Sequence, residues 1–239
     1  VIFVPITLIF LVNRPEDVGL LPDGQAQTKE SATEEEAGEE EISLTQAQAL
    51  KTPAFWILTF GVFQASMVGT GIIIHFVSIL GQQGLSMAFT AQILGIKTFV
   101  GFATTILAGL FLDKIKRQHL ILAGAMLLQV FAFALLAFLR NAEMAYFYTV
   151  ISGVAGGLTS LSIGVLMPNL FGRRFLGGIS GVTMAINVIG SAIGPLVIGA
   201  VFDLTHSYQN IILLSALFPL VAGTGSLFIR KPVLKPTAL

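Results

Sequence analysis

Two ionisable side chains, His75 and Lys97, lie inside long apolar runs of this 239-residue chain. Neither run contains an acid. Ten of the thirteen carboxylates fall between Asn13 and Lys51, and the other three, Asp113, Glu143 and Asp203, stand at the ends of apolar stretches. An ammonium group in hydrocarbon costs roughly 2.5–3.5 kcal/mol on insertion scales, so it faces a partner, a wet cavity or the membrane surface. Lys97 therefore has two readings. One is a cation that binds a small anion such as a carboxylate. The other is a stem that snorkels over the roughly 10 Å to the interface. His75 also has two, because an imidazole exchanges protons near neutral pH but serves equally as a hydrogen-bonded structural group. A short link separates their two runs, which puts both side chains at similar depth. No His, Asp or Glu grouping has metal-ligand spacing, no nucleophile lies beside a base, and cysteine is absent. Enzyme chemistry, a metal and a cofactor are therefore not expected. Zero net charge gives nucleic acid nothing to bind.

The elements that must position these groups are six apolar stretches, at about 54–80, 91–112, 119–139, 144–170, 178–201 and 209–229. Each meets the roughly 20 residues that a helix needs to cross a bilayer. With 54% apolar and 11% charged residues, the chain has too little charged surface for a soluble domain of its size. Polar residues align on some stretches and not on others. The first carries Gln64, Gly71 and His75, and the second Lys97, Gly101, Thr104 and Thr105. The fourth carries Ser152, Thr159 and Asn169, and the fifth Ser180, Thr183, Asn187 and Ser191 at helical spacing. The third, from His119 to Leu139, is nearly uniform in Leu, Ala and Phe, and the sixth is apolar with a kink expected at Pro219. Stretches one, two, four and five are thus expected to wall a cavity, with Gln64 and Asn187 as hydrogen-bonding wall residues. Stretches three and six are expected to face lipid. Small residues at Gly153 and Gly157, at Gly177 and Gly181, and at Gly190, Gly194 and Pro195 suit close helix packing and a bend.

Basic residues choose alternate gaps. Lys114, Lys116 and Arg117 follow the second stretch, Arg173 and Arg174 the fourth, and Arg230, Lys231 and Lys235 the sixth, whereas the other three gaps contain only Arg140. By the positive-inside rule, loops 113–118 and 171–177 and both ends are cytoplasmic, in a cell (inner or plasma) membrane. Residues 1–12 read as the end of a truncated membrane helix, too short to span. Residues 13–53 read as an acidic cytoplasmic linker, disordered because it holds little apolar surface to bury. The bundle spans 54–229, with a cytoplasmic tail at 230–239.

The run Gly109-Leu110-Phe111-Leu112-Asp113-Lys114-Ile115-Lys116-Arg117 resembles the G-x-x-x-D-[RK]-x-x-[RK] loop motif of the major facilitator superfamily, in its second-half copy. The run from Gly194-Pro195 through Gly199, Asp203 and Thr205 to Ser207-Tyr208 resembles the end of helix 11 in monocarboxylate-transporter-like and oxalate:formate-antiporter-like members, with His206 where Gly is usual. Phe171-Gly172-Arg173-Arg174 and Pro15-Glu16-Asp17-Val18-Gly19-Leu20 fit the same group. The resemblance implies an all-α membrane fold. This chain would supply the end of helix 6 and helices 7–12, and a missing N-terminal six-helix half would be its partner. It also implies that Gly109, Asp113, Lys114 and Arg117 form a gating motif, and it makes Lys97 the candidate for the basic residue on helix 8 that meets the anion in the monocarboxylate group. The expected activity is secondary active transport of a small organic anion, a mono- or dicarboxylate, by alternating access with proton symport or anion exchange. The alternatives are a non-transporting membrane sensor or structural protein on the same fold and, least favoured, a membrane enzyme.

Overall fold

A computed structural model describes residues 43–112, 115 and 117–230. The stub at 1–12, the acidic runs of the linker, Asp113, Lys114 and the tail beyond Arg230 lie outside the described residues. Within them the chain is all-α, and six helical spans are long and apolar enough to cross a membrane. A single turn, α1 (Gln46–Ala49), precedes α2 (Pro53–Gly81), α3 (Met87–Leu112), α4 (Gln118–Ala137), α5 (Ala142–Phe171) and α6 (Leu176–Thr205). The last span is α7 (Tyr208–Ser215) followed by α8 (Leu217–Ser226). Local chemistry fixes the starts. Thr52 caps α2 by accepting from the Phe55 amide, with Pro53 in the first turn, and Asn141 caps α5 by accepting from the Met144 amide. Pro219 acts one turn earlier than a simple kink at its own position. Its ring cannot donate to Ser215, so the span is interrupted at Ala216.

Two helix pairs form the frame. Helix α2 packs along α6, and α5 packs against both α3 and α4, while α8 closes on α4 and α2. Glycines set the separation of the main pairs. A Cβ at Gly153 would come within 2.9 Å of the Lys97 carbonyl oxygen, and one at Gly157 would meet the Gly101 carbonyl. On the other pair, a Cβ at Gly190 would lie 2.8 Å from the Phe63 carbonyl oxygen, and one at Gly194 would overlap the Met67 carbonyl. Gly177 and Gly181, which share the same spacing in the sequence, have open space around them.

The apolar core is split. One cluster holds Ile72, Phe76, Leu80, Ile93, Phe133, Leu136 and Tyr148, and the other holds Phe55, Leu58, Leu122, Met126, Leu166 and Phe171. On α2, α4 and α5 the two clusters are separated by a middle section that contains Gln64, Gln129, Ser152 and Thr159.

At one point the structure differs from the linker expected over 13–53: residues 43–52 are folded onto the bundle. Thr45 and Gln48 form a reciprocal capping box, and Leu44 and Ala49 are buried. The Leu44 amide donates to the Phe171 carbonyl at 2.8 Å. Gly172, with φ +77°, turns the α5–α6 loop so tightly against Ser43 that a side chain there would have no room. Too few apolar residues for a core of its own do not prevent a short segment from docking on someone else's.

His206 ends α6 in the left-handed region at φ 51°, its amide donating to the Phe202 carbonyl. A side chain held there costs about 1 kcal/mol or somewhat more, so His206→Gly is expected to raise the thermal midpoint of the detergent-solubilised protein by a few degrees. Gly194→Val is expected to lower folded yield and midpoint sharply, by 1–3 kcal/mol or more for overpacking against backbone, while Gly181→Val leaves both nearly unchanged.

Candidate functional site

The middle section between the two apolar clusters encloses a cavity of about 340 Å3. Helix α2 contributes Gln64 and Ser66, α3 contributes Lys97, α6 contributes Asn187, and α5 contributes a ladder of Tyr148, Ser152, Gly156, Thr159 and Ser160. Helix α4 joins them through Met126, Gln129 and Phe133. The expectation that the third apolar stretch faces only lipid is therefore corrected. Its outer row, Leu120, Leu127 and Phe131, is exposed, but its inner row lines the cavity. Gln129 was legible in principle, as the lone polar side chain between Leu120 and Leu139.

Lys97 is half-buried and turns inward. Its Nζ donates to the Tyr148 hydroxyl at 3.5 Å and stands 5.5 Å from the centre of the Tyr148 ring. Tyr148 is fully buried and its ring packs against Phe76, with centroids 5.9 Å apart. Among the described residues the ammonium has no carboxylate partner, and none of the cavity-lining residues is acidic. A ring face and one neutral hydroxyl satisfy only part of an ammonium's three donors. The remaining donors are left to water or to a ligand in the cavity.

The neutral polar groups are arranged around that charge. The Gln129 amide and the Ser152 hydroxyl exchange contacts at 3.4 and 3.5 Å. Gln64 is only 3% exposed, and its amide makes no hydrogen bond among the described residues. A buried carboxamide without a protein partner is satisfied by water or a ligand. Asn187 sits half-buried on the wall, its carbonyl accepting from the Ser66 hydroxyl at 2.8 Å. The cavity shares Val62, Ile163 and Asn187 with a more open groove of about 500 Å3 that runs past Pro168, Ser180 and Leu176. That groove leads toward the end of the bundle bearing Arg173 and Arg174.

His75 is placed elsewhere. It does not line the cavity. Its Nε2 donates to the Pro195 carbonyl at 3.2 Å, and its Nδ1 shares a hydrogen bond with the Tyr208 hydroxyl at 3.3 Å. Tyr208 in turn stacks on Phe202 with centroids 4.1 Å apart. His75 thus ties α2 to α6 and to the start of α7, with both ring nitrogens engaged. Of the four binding candidates read from sequence, Lys97, Gln64 and Asn187 meet in one cavity and His75 does not. Of the loop motif, Gly109 is half-buried with open space around it and Arg117 is exposed ahead of α4, while its Asp113 and Lys114 are outside the described residues.

Against known proteins, a family model described as Major Facilitator Superfamily matches residues 1–195. The chain is also 25% identical over 178 residues to a protein named "Uncharacterized transporter YycB" from Bacillus subtilis (strain 168). That match covers 72% of this chain and 44% of the relative, so the chain spans less than half the length of the protein it matches.

A cysteine introduced at Gly156, which is exposed and has no atom within 4 Å of its would-be Cβ, is expected to react readily with a small water-soluble thiol reagent. Ala155→Cys, at a fully buried position one residue away, is expected to stay unlabelled. Equal labelling of the two in a background otherwise free of cysteine would contradict the cavity.

Proposed function

The chain belongs to the Major Facilitator Superfamily, and on that premise we propose that it forms one wall of a secondary active transporter for a small organic anion. The observation that carries the substrate charge is Lys97, an inward-turned ammonium with an aromatic seat and no acid beside it. A carboxylate entering the cavity gains that ammonium as a charge-assisted partner and supplies the acceptor that the protein withholds. Gln64 and Asn187 orient the rest of the molecule. The chain is a multi-pass integral membrane protein, and a second six-helix half would complete the site near mid-membrane, as transporter folds built from repeats place it.

In this reading the basic loops at Arg117 and at Arg173–Arg174 lie on the cytoplasmic side of a cell membrane, as the positive-inside rule favours. The groove below the cavity then faces inward. The opposite end, closed by the apolar cluster and by the His75–Tyr208–Phe202 contacts, is the outer seal. Alternating access in this reading is a rocking of the two halves that opens this seal and closes the groove, with Gly109, Asp113, Lys114 and Arg117 at the inner gate. In this reading the substrate is a mono- or dicarboxylate that places one carboxylate on Lys97, and transport is coupled to proton symport or to exchange for a second anion.

In proteoliposomes holding the intact protein, uptake of a panel of radiolabelled short-chain carboxylates is expected to fall at least about 30-fold in Lys97→Ala, the equivalent of roughly 2 kcal/mol for a charge-assisted hydrogen bond. Lys97→Arg should retain part of it. Uptake by Lys97→Ala at the parental rate would remove Lys97 from the site. A well-folded parent that moves no carboxylate would instead favour a sensor on the same fold.

A further inference from the structure

The polar partners of Lys97 and Gln129 are one helical turn apart on α5. Tyr148, which seats the ammonium, and Ser152, which pairs with Gln129, stand at i and i+4 on the face that lines the cavity. That spacing is a rise of roughly 6 Å along the helix axis. Gly156, one turn further, leaves the same face open. The same cavity is lined by Gln64, a residue only 3% exposed whose amide has no hydrogen bond among the described residues.

From this juxtaposition we infer that Gln64, Gln129 and Ser152 form a second, neutral subsite that reads an uncharged hydrogen-bonding group of the anion about one helical turn from its carboxylate. The inference rests on the transporter reading above and narrows its substrate class. Three features determine the chemistry. First, the subsite carries no charge, and Lys97 is the one basic residue lining the cavity among the described residues, so a second carboxylate there would be desolvated without a counter-ion. Second, carboxamides and a hydroxyl offer both donors and acceptors. After its exchange with Ser152, the Gln129 amide keeps an N–H and a lone pair free for a hydroxyl, ketone or amide. Third, an apolar group in this part of the cavity displaces water and offers the Gln64 and Gln129 amides no partner, which penalises the unsubstituted analogue. The predicted ligand is a mono-anion with one polar, uncharged substituent, and a hydroxyl carried three methylenes from the carboxylate spans about that length in a staggered chain.

The test compares 4-hydroxybutyrate, its methyl isostere pentanoate, and 2-hydroxybutyrate, whose hydroxyl sits too close to the carboxylate to reach the second subsite. Binding is read as stabilisation of the purified intact protein against thermal unfolding over a concentration series. The parent is expected to bind 4-hydroxybutyrate about tenfold more tightly than either of the others. Gln129→Leu and Ser152→Ala should each reduce that preference to within about threefold, while pentanoate binding persists. Ser152→Ala keeps the test decisive where Gln129→Leu disturbs packing. If all three acids bind equally to the parent, the neutral subsite is overturned and the anion site stands. If the preference survives in both variants, the assignment of these residues is overturned. If none of the acids shifts unfolding, in the parent or in Lys97→Ala, the anion-site reading fails and takes this inference with it.

Discussion

Much of this structure depends on how closely α3 can approach α5. In lipid, apolar side chains gain little by leaving hydrocarbon for a helix interface, so helices associate where small residues let backbones meet. Gly153 lies directly under the Lys97 carbonyl, and Gly157 lies under that of Gly101 one turn on. With α3 held so near, the Lys97 stem needs to travel only to Tyr148, the residue just over a turn before Gly153 on α5. A bulkier residue at Gly153 would push α3 away and leave snorkelling as the easier course for the ammonium. The packing contact and the inward turn of the Lys97 ammonium are thus one device.

The second constraint is the division of the apolar core. Two clusters grip α2, α4 and α5 near their ends and leave a polar belt between them. Buried polar groups in that belt are costly unless paired. Some pair with each other, as Gln129 does with Ser152 and Thr59 with Thr183 at 3.3 Å. Others, notably Gln64 and the remaining donors of Lys97, face the cavity without further partners among the described residues. Such a cavity differs in chemistry from one lined only by leucines. The two ends also differ in kind: His75, Tyr208 and Phe202 knit one, and an open groove leaves the other.

Local physics made much of the architecture readable from residues alone. The six apolar runs are six helices because any segment that long and that apolar satisfies its backbone only by coiling. Gly71, Gly153, Gly157, Gly190 and Gly194 each have a backbone or side chain of another helix within close contact of the missing Cβ. Gly177 and Gly181 carry the same spacing and touch nothing, so spacing alone did not separate the two cases. The folded turn at 43–52 was hidden for a related reason. Its capping box is local, but the cluster in which Leu44 and Ala49 are buried includes Phe171 and Ile179, more than a hundred positions away.

By itself, then, the amino-acid order determined the number of spans, the polar stripes on four of them and the presence of an ammonium without an acid. Hydropathy and helical periodicity are properties of neighbours along the chain, and both can be counted there. Only the tertiary structure decided which stripes converge. It rotated His75 away from Lys97 and onto the Pro195 carbonyl and Tyr208, and it brought Gln129, on a helix that reads as uniformly greasy, to Ser152. The rotation of each helix about its own axis is set by which small residues touch which backbones across the bundle, and nothing along a single helix records that.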